Sequence, residues 1–416
     1  MHVTALNSTE LSHPDWILKT VAECEITILL PCLNEAATLG PCIREGLHGL
    51  QSVNVLGEIL VADNGSTDES KNIARALGAR VIEVHEKGYG SALKSGIKAA
   101  KGKFIIIADS DLSYDLTELS RYVEGLQNGW DLVIGCRLPS GRGTIHPGAM
   151  PFLHRWVGNP VLSALGRVFF NSNIHDFHCG IRAFQRDKIL GLNLTTPGME
   201  FSSEMIVKAH LAGLSISEVP ATLRKDGRTR SPHLRTWRDG WRHLRFMLLY
   251  APNWLFLYPG LGIFLMSLSV FLFLLRDPLV VGNIKFDTNT LLAAGMGILV
   301  GVQIISLATF INVYTRGHGL LPPDSFYQKL AKSRPFESGL AVGFSVGILG
   351  TIYLVRAFLE WKAVGFGDLP YSQGLRLIIP SVVLIALAPQ AAFTGFVLAV
   401  LGIHTLPNEK VWNNKN

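Results

Sequence analysis

At 416 residues the chain has room for two domains, and its formal charge of +6 needs no nucleic acid partner to explain it. Eight lysines and arginines fall between Arg224 and Arg245, just ahead of a long apolar run, where anionic headgroups attract them. Five cysteines (24, 32, 42, 136 and 179), odd in number and without CxxC spacing, speak against a disulfide framework or a zinc site and for free thiols in a reducing compartment.

Residues 1–25 are polar and mixed in charge, unlike a signal peptide, which predicts a first domain that stays in the cytosol. Strands and helices then alternate. Residues 26–30 read as a strand with a helical pattern from Glu35, 58–62 as a second with a helix over 67–77, and 80–84 as a third with a helix over 90–100. Residues 104–108 read as a strand buried on both faces, followed by a helix over 115–127 and a fifth strand over 131–135. This alternation predicts an α/β domain, a doubly wound and mainly parallel sheet.

In such sheets ligands bind at the carboxyl ends of strands. Four strand ends carry polar groups: Asn34-Glu35, Asp63-Asn64, Glu86-Lys87 and Asp109-Ser110-Asp111. Asp109 and Asp111 share one face of an extended chain and repel each other unless a cation lies between them. An acidic surface loop and a divalent-cation site holding a diphosphate both fit that pair. Gly88, Gly90 and Gly96 do not form GxGxxG opening a helix after the first strand, and no GxxxxGK[ST] occurs, which argues against a dinucleotide or P-loop site.

Residues 235–252 carry Trp237, Trp241, Leu244 and Leu248 at i, i+4, i+7 and i+11, beside Arg238, Arg242 and Arg245, the pattern of a helix lying in a membrane interface. Beyond it, 254–275, 291–311, 339–359 and 377–402 are each long and apolar enough to span a bilayer. Arg316, Lys329, Lys332 and Arg334 between the second and third spans outnumber the basic residues of the other two loops, Arg276 and Lys285, and Lys362 and Arg376. The bias predicts a multi-pass membrane protein with the first domain, the middle loop and the C-terminus in the cytosol. The expected organisation is a sheet domain over 1–232, a basic amphipathic helix over 233–252, and an all-α membrane domain of four transmembrane helices over 253–416.

Seven motifs occur in register over 26–232: LPCLNEAATL (30–39), VADNGSTDES (61–70), EKGYGSALKSGIKAAKG (86–102), DSD (109–111), GCRLPSGRG (135–143), DFHCGIRAF (176–184) and MEFSSEMIVKAHLAGLSISEVP (199–220). Together they resemble the family 2 glycosyltransferases of GT-A fold, and within them the polyprenyl-phosphate sugar synthases of the dolichol-phosphate mannosyltransferase type. The departures are Cys32 in the first motif, Asn64 in place of a second aspartate, Ser113 where relatives often place glutamine, and Ile181 in place of phenylalanine. No QxxRW motif appears, which argues against a processive polysaccharide synthase.

The resemblance implies an inverting, metal-dependent transfer of a sugar from a nucleotide-sugar to a polyprenyl phosphate on the cytosolic leaflet. It places Pro31, Asn34, Glu35, Asp63, Lys87 and Asp109 at the nucleotide-sugar. Mg²⁺ or Mn²⁺ would be held by Asp109, Asp111 and Ser113. Asp111, Asp176 and Arg137 become the catalytic candidates, and Arg137, Arg155, Arg228 and Arg230 the contacts to the acceptor phosphate, with Arg182 and Lys225 as further cations. For Asp63 a helix N-terminal cap, a role that Ser66 or Thr67 could fill instead, competes with nucleoside binding. Asp176 is open to three roles: orienting an arginine, acting as base, or sitting in a buried ion pair. Glu204 is open to a site or a structural role. Relatives form oligomers, so a homo-oligomer is expected. A glycosyltransferase acting on a hydroxyl-bearing lipid would need Asp176 as its base, and a transporter or flippase would need intramembrane charge beyond Arg356, Gln303 and Gln390.

Overall fold

The computed structural model describes residues 24–228, 236–368 and 370–403. They form two compact units that divide between Met247 and Leu248. The first opens with β1 (Ile26–Cys32), α1 (Ala36–Ser52), β2 (Gly57–Asp63), α2 (Ser70–Ala76), β3 (Arg80–Glu83), α3 (Tyr89–Ala99), β4 (Phe104–Ile107), α4 (Ser120–Gln127) and β5 (Leu132–Cys136), the alternation that the apolar patterning predicts. It continues through β6 (Thr144–Ile145), a π-helical turn at His154–Gly158, α5 (Asn159–Phe170), β7 (Arg182–Gln185), α6 (Arg186–Gly191), α7 (Phe201–Leu211), β8 (Ile216–Pro220), β9 (Thr222–Leu223) and α8 (Thr236–Leu249).

Seven strands form one sheet in the order β3-β2-β1-β4-β7-β5-β8. β1, β4 and β5 are buried along their whole length, which is why their sequences are continuous apolar runs rather than alternations. The sheet is parallel except at β7, which runs antiparallel between β4 and β5. Sequence patterning alone does not reveal β7, since four residues, RAFQ, hold too little period to read. Its direction matters for the site. Because Arg182 pairs with Ile107, the residues just before β7 (176–181) reach the same edge at which β4 releases Asp109 and Asp111.

Two helices begin later than their periodicity suggests. Asp115 Oδ1 accepts from the backbone N–H (3.0 Å) and hydroxyl (2.5 Å) of Thr117, and Asp68 Oδ1 does the same for Ser70 (3.0 and 2.5 Å). Such turns compete with helical backbone bonding, so α4 starts at Ser120 and α2 at Ser70.

α8 falls within the helix expected over 233–252. It docks through Asp239, His243, Phe246 and Met247, all buried, with His243 Nδ1 2.8 Å from Ser203 Oγ and its ring 4.5 Å from that of His178. Trp237 and Trp241 stay exposed beside Arg238, Arg242 and Arg245, while Leu244 and Leu248 are only half-buried. The outward face therefore mixes aromatics with arginines.

The second unit holds α9 (Tyr258–Leu274), a hairpin of β10 (Leu279–Val281) and β11 (Ile284–Phe286), α10 (Thr288–Gly317), α11 (Ser325–Lys332), α12 (Pro335–Ala363) and α13 (Tyr371–Ile403). Among the described residues, four segments are long and apolar enough to cross a membrane: Asn253–Leu274, Thr288–Gly317, Pro335–Ala363 and Ser372–Gly402. α12 and α13 approach through glycine, since a Cβ on Gly339 would lie 2.7 Å from the Cα of Gly395. Asn312 in α10 donates to Asn253 Oδ1 (2.8 Å), a polar tie between the first two spans.

Glu204 on α7 is structural. Its fully buried carboxylate accepts from the N–H and hydroxyl groups of Thr195 and Thr196 and pairs with Lys208 Nζ at 2.8 Å. Burial pushes it toward the neutral form, but the Lys208 and threonine bonds outweigh that and hold the carboxyl below its usual range. Glu204→Gln turns a donor amide toward these donors. The expected result is a loss of about 1–3 kcal/mol, read as a lowered midpoint in thermal unfolding of the full chain.

Candidate active site

Four strand ends meet at the carboxyl edge of the sheet, and side-chain bonds fix each loop. Ser110 Oγ donates to Pro31 O (2.7 Å) and Thr38 Oγ1 to Ser110 O (2.8 Å), joining the ends of β1 and β4. Asn34, at φ +57°, accepts from Thr67 N through Oδ1 (2.8 Å), and its own N–H donates to Ser66 Oγ (2.8 Å). Asp63 is buried and accepts from the backbone N–H groups of Gly65 (3.1 Å) and Ser66 (3.1 and 3.3 Å), so it shapes the turn after β2.

Asn64 explains its own departure from the aspartate of the family motif. Its amide nitrogen donates to Val84 O (3.2 Å) and Glu86 O (2.8 Å), and its Oδ1 accepts from Gly88 N (2.7 Å). A carboxylate accepts but cannot donate, so only an amide serves both sides. Lys87 Nζ, otherwise exposed, donates to Asn64 O (2.9 Å). Gly88 has φ +133°, and a Cβ there would meet Pro197 O at 2.1 Å.

Asp109 and Asp111 lie just past β4. Tyr89 donates its hydroxyl to Asp109 Oδ1 (3.1 Å), a contact that sequence reading missed although Tyr89 stands inside one of the seven motifs. Burial, then the Asp111 charge, pushes the Asp109 carboxyl up to about 6. Asp111 Oδ1 accepts from Ser113 N (3.0 Å), while Arg228 Nη1 lies 3.0 Å from Asp111 Oδ2. Arg228 also clamps Glu35, with Nε at 2.9 Å and Nη2 at 2.8 Å from Oε1. One guanidinium thus joins the ends of β1 and β4. The segment carrying it is pinned by Arg224 N to Ser113 O (2.8 Å), Gly227 N to Asp111 O (2.9 Å) and Arg224 Nη2 to Glu45 Oε2 (2.7 Å).

On the β5 and β7 side, Arg137 and Asp176 form a buried bidentate pair, with Nε–Oδ2 at 2.7 Å and Nη2–Oδ1 at 2.8 Å, and Arg137 N adds a third bond at 3.1 Å. Burial favours protonated Asp176, but Arg137 outweighs it and holds the carboxyl below its usual range. Both oxygens are engaged, so the geometry favours the ion-pair role over the base. Gly180 completes the junction between the two halves. Its N–H donates to the Tyr114 hydroxyl (2.8 Å), and a Cβ there would lie 2.6 Å from Asp109 Oδ2.

The remaining cations separate. Arg182 is buried and donates to the carbonyls of Cys179, Ser202 and Phe177, so it holds backbone rather than facing a ligand. Arg155 lies in the π-helical turn with its guanidinium 5.3 Å from the Trp156 ring centroid. Lys225 is exposed, and Arg230 lies outside the described residues.

Could these residues hold a divalent cation? Among the described residues no three His, Cys, Asp or Glu side chains come together as a metal cluster. Two crowded carboxylates, one with a raised pKa, suit Mg²⁺ or Mn²⁺ bound through a substrate diphosphate, which needs only one or two protein carboxylates. Ser113 is placed through its backbone, donating to Asp111 and accepting from Arg224.

Residues 27–190 match the family model of glycosyl transferase family 2, and 309–402 match the glycosyltransferase family 2 C-terminal transmembrane region. The low-salt glycan biosynthesis hexosyltransferase Agl6 of Haloferax volcanii is 34% identical over 91% of this chain and 89% of its own. A dolichyl-phosphate hexose transferase of the same organism is 31% identical over 48% of this chain and 83% of its own. A solved structure of glucosyl-3-phosphoglycerate synthase from Mycobacterium tuberculosis with Mn²⁺, UDP and glucosyl-3-phosphoglycerate superposes with a TM-score of 0.43 at 25% identity, over 58% of this chain and 85% of that one, too distant to assign residues by. The chain belongs to glycosyltransferase family 2; it is a membrane-embedded hexosyltransferase.

Asn64→Asp tests the loop geometry. It sets a carboxylate against the carbonyls of Val84 and Glu86, a loss of about 1–3 kcal/mol in the loop that carries Lys87. The KM for the sugar donor is expected to rise about tenfold, with a smaller change in kcat, in steady-state kinetics.

Proposed function

We propose that this family 2 hexosyltransferase transfers a hexose, with inversion, from a nucleotide-sugar to the phosphate of a polyprenyl-phosphate lipid at the cytosolic face of the membrane. The observation that carries this reading is the Arg137–Asp176 pair. A hydroxyl acceptor needs a base, and the carboxylate in position to act as one is held by two guanidinium bonds. A phosphate monoester needs none, since its second pKa is about 6 and its oxygens are already ionised near neutral pH. The name of the dolichyl-phosphate hexose transferase among the relatives agrees with such an acceptor.

On this reading the carboxyl edge of β1, β2 and β4 receives the donor. Asp63 and Glu35 shape the loops that would receive the nucleoside, and Asp109 and Asp111 would hold a divalent cation on the diphosphate. The cation supplies Lewis-acid stabilisation of the charge that builds on the departing nucleotide. Arg137 stays charged through Asp176 and, with Arg155, draws the acceptor phosphate toward an anionic donor, a task suited to the guanidinium fork. α8, with Trp237 and Trp241 outward among arginines, lies in the membrane interface.

Purified protein in lipid nanodiscs, offered a panel of radiolabelled nucleotide-sugars, is expected to label polyprenyl phosphate and not diacylglycerol, and only with Mg²⁺ or Mn²⁺ present. Asp111→Asn is expected to lower turnover by at least about a hundredfold without loss of membrane insertion. Metal-independent transfer, or transfer to the hydroxyl lipid alone, would sink the reading.

Arg228 gives a second test, because its guanidinium competes with any cation for Asp111. Arg228→Gln is expected to bind Mn²⁺ roughly tenfold more tightly in a titration followed by electron paramagnetic resonance, while transfer slows.

A further inference from the structure

Asp109 and Asp111 are anchored in the same way. Asp109 Oδ1 accepts from the Tyr89 hydroxyl (3.1 Å), and Asp111 Oδ1 accepts from Ser113 N (3.0 Å). Each carboxylate therefore has one oxygen tied to a donor of the chain. The second oxygens differ. Asp111 Oδ2 meets Arg228 Nη1 at 3.0 Å, a charge that an incoming cation can replace. Asp109 Oδ2 has no hydrogen-bond donor among the described residues, and it lies beside Gly180, where a Cβ would sit 2.6 Å away.

The anchor on Asp111 is a backbone group and comes with the turn. The anchor on Asp109 is a side chain delivered by another element. Tyr89 is the first residue of α3, and the backbone is held on both sides of it. Asn64 Oδ1 accepts from Gly88 N (2.7 Å), and Pro197 O accepts from Gly90 N (2.9 Å) and Ser91 N (3.3 Å). Pro197 in turn follows Thr195 and Thr196, whose N–H groups donate to Glu204. None of these ties involves Asp109, so the hydroxyl is placed independently of the carboxylate that it anchors.

A carboxylate with one oxygen anchored offers a cation one ligand, whereas a free one can offer two. Ions differ in what they accept. Mg²⁺ and Mn²⁺ take octahedral sets of oxygens, while Ca²⁺ takes about six to eight and readily shares both oxygens of a carboxylate. We propose that Tyr89 sets which cation the site takes: by occupying Asp109 Oδ1, its hydroxyl confines Asp109 to one free oxygen and selects Mg²⁺ and Mn²⁺ over Ca²⁺. Tyr89 is a positioning residue, since it acts through Asp109. The inference rests on the reading that Asp109 and Asp111 hold the cation.

The test reads metal binding by the full chain, with neither sugar donor nor acceptor present. Nanodiscs of phosphatidylcholine keep anionic lipid from binding the ions. Mn²⁺ alone is titrated in and followed by electron paramagnetic resonance, and Ca²⁺ is then added to displace it. Tyr89→Phe keeps the ring and removes the hydroxyl. Its Mn²⁺ affinity is expected to fall about tenfold while that for Ca²⁺ holds or rises, so the preference for Mn²⁺ shrinks by at least about tenfold. Equal weakening of both ions, the result of a loosened loop, overturns the proposal, and so does an unchanged preference. Asp111→Asn separates the inference from the reading beneath it. Mn²⁺ binding that survives Asp111→Asn intact overturns the cation reading and this inference with it. Binding lost in Asp111→Asn, with the preference unchanged in Tyr89→Phe, overturns the role of Tyr89 alone.

Discussion

Asp109 and Asp111 leave the end of a fully buried strand as two carboxylates in close quarters, and their repulsion organises the carboxyl edge of the sheet. Burial makes the Asp109 charge expensive, and the Asp111 charge beside it adds to that cost. The chain relieves this with groups from distant positions: the Tyr89 hydroxyl on Asp109, the Ser113 amide and the Arg228 guanidinium on Asp111. Because Arg228 grips Glu35 as well, the repulsion at β4 is tied to the first loop of the sheet and to the segment after β9. A ligand that brings its own cation exchanges one positive partner for another. On the proposed reading the Arg228 charge is the replaceable one, and the backbone bonds of Arg224 and Gly227 hold the segment that carries it.

The second ion pair has the opposite character. Arg137 and Asp176 meet through two side-chain bonds and one backbone bond with almost no exposure. Removing one partner of such a pair leaves an uncompensated buried charge, at about 3–5 kcal/mol, so the pair is rigid rather than exchangeable. β7 makes it possible by running against its neighbours and turning the 176–180 block back to the ligand edge. Gly180 then lets that block touch Asp109 without a side chain between them. Flexible charge on one side and locked charge on the other suit a reaction in which a metal-bound donor must be loaded and a phosphate acceptor held.

β1, β4 and β5 were readable because strands buried on both faces leave unbroken apolar runs, and the four spans were readable for the same reason at greater length. β7 was not, being four residues after an irregular block. Asn64 was noticed as a departure, but its meaning needed the carbonyls of Val84 and Glu86, which approach only in three dimensions. Asp176 and Glu204 show the limit plainly. Each is an acidic residue inside a family motif, and nothing in the chain distinguishes a free carboxylate from one saturated by Arg137 or by two threonines and a lysine.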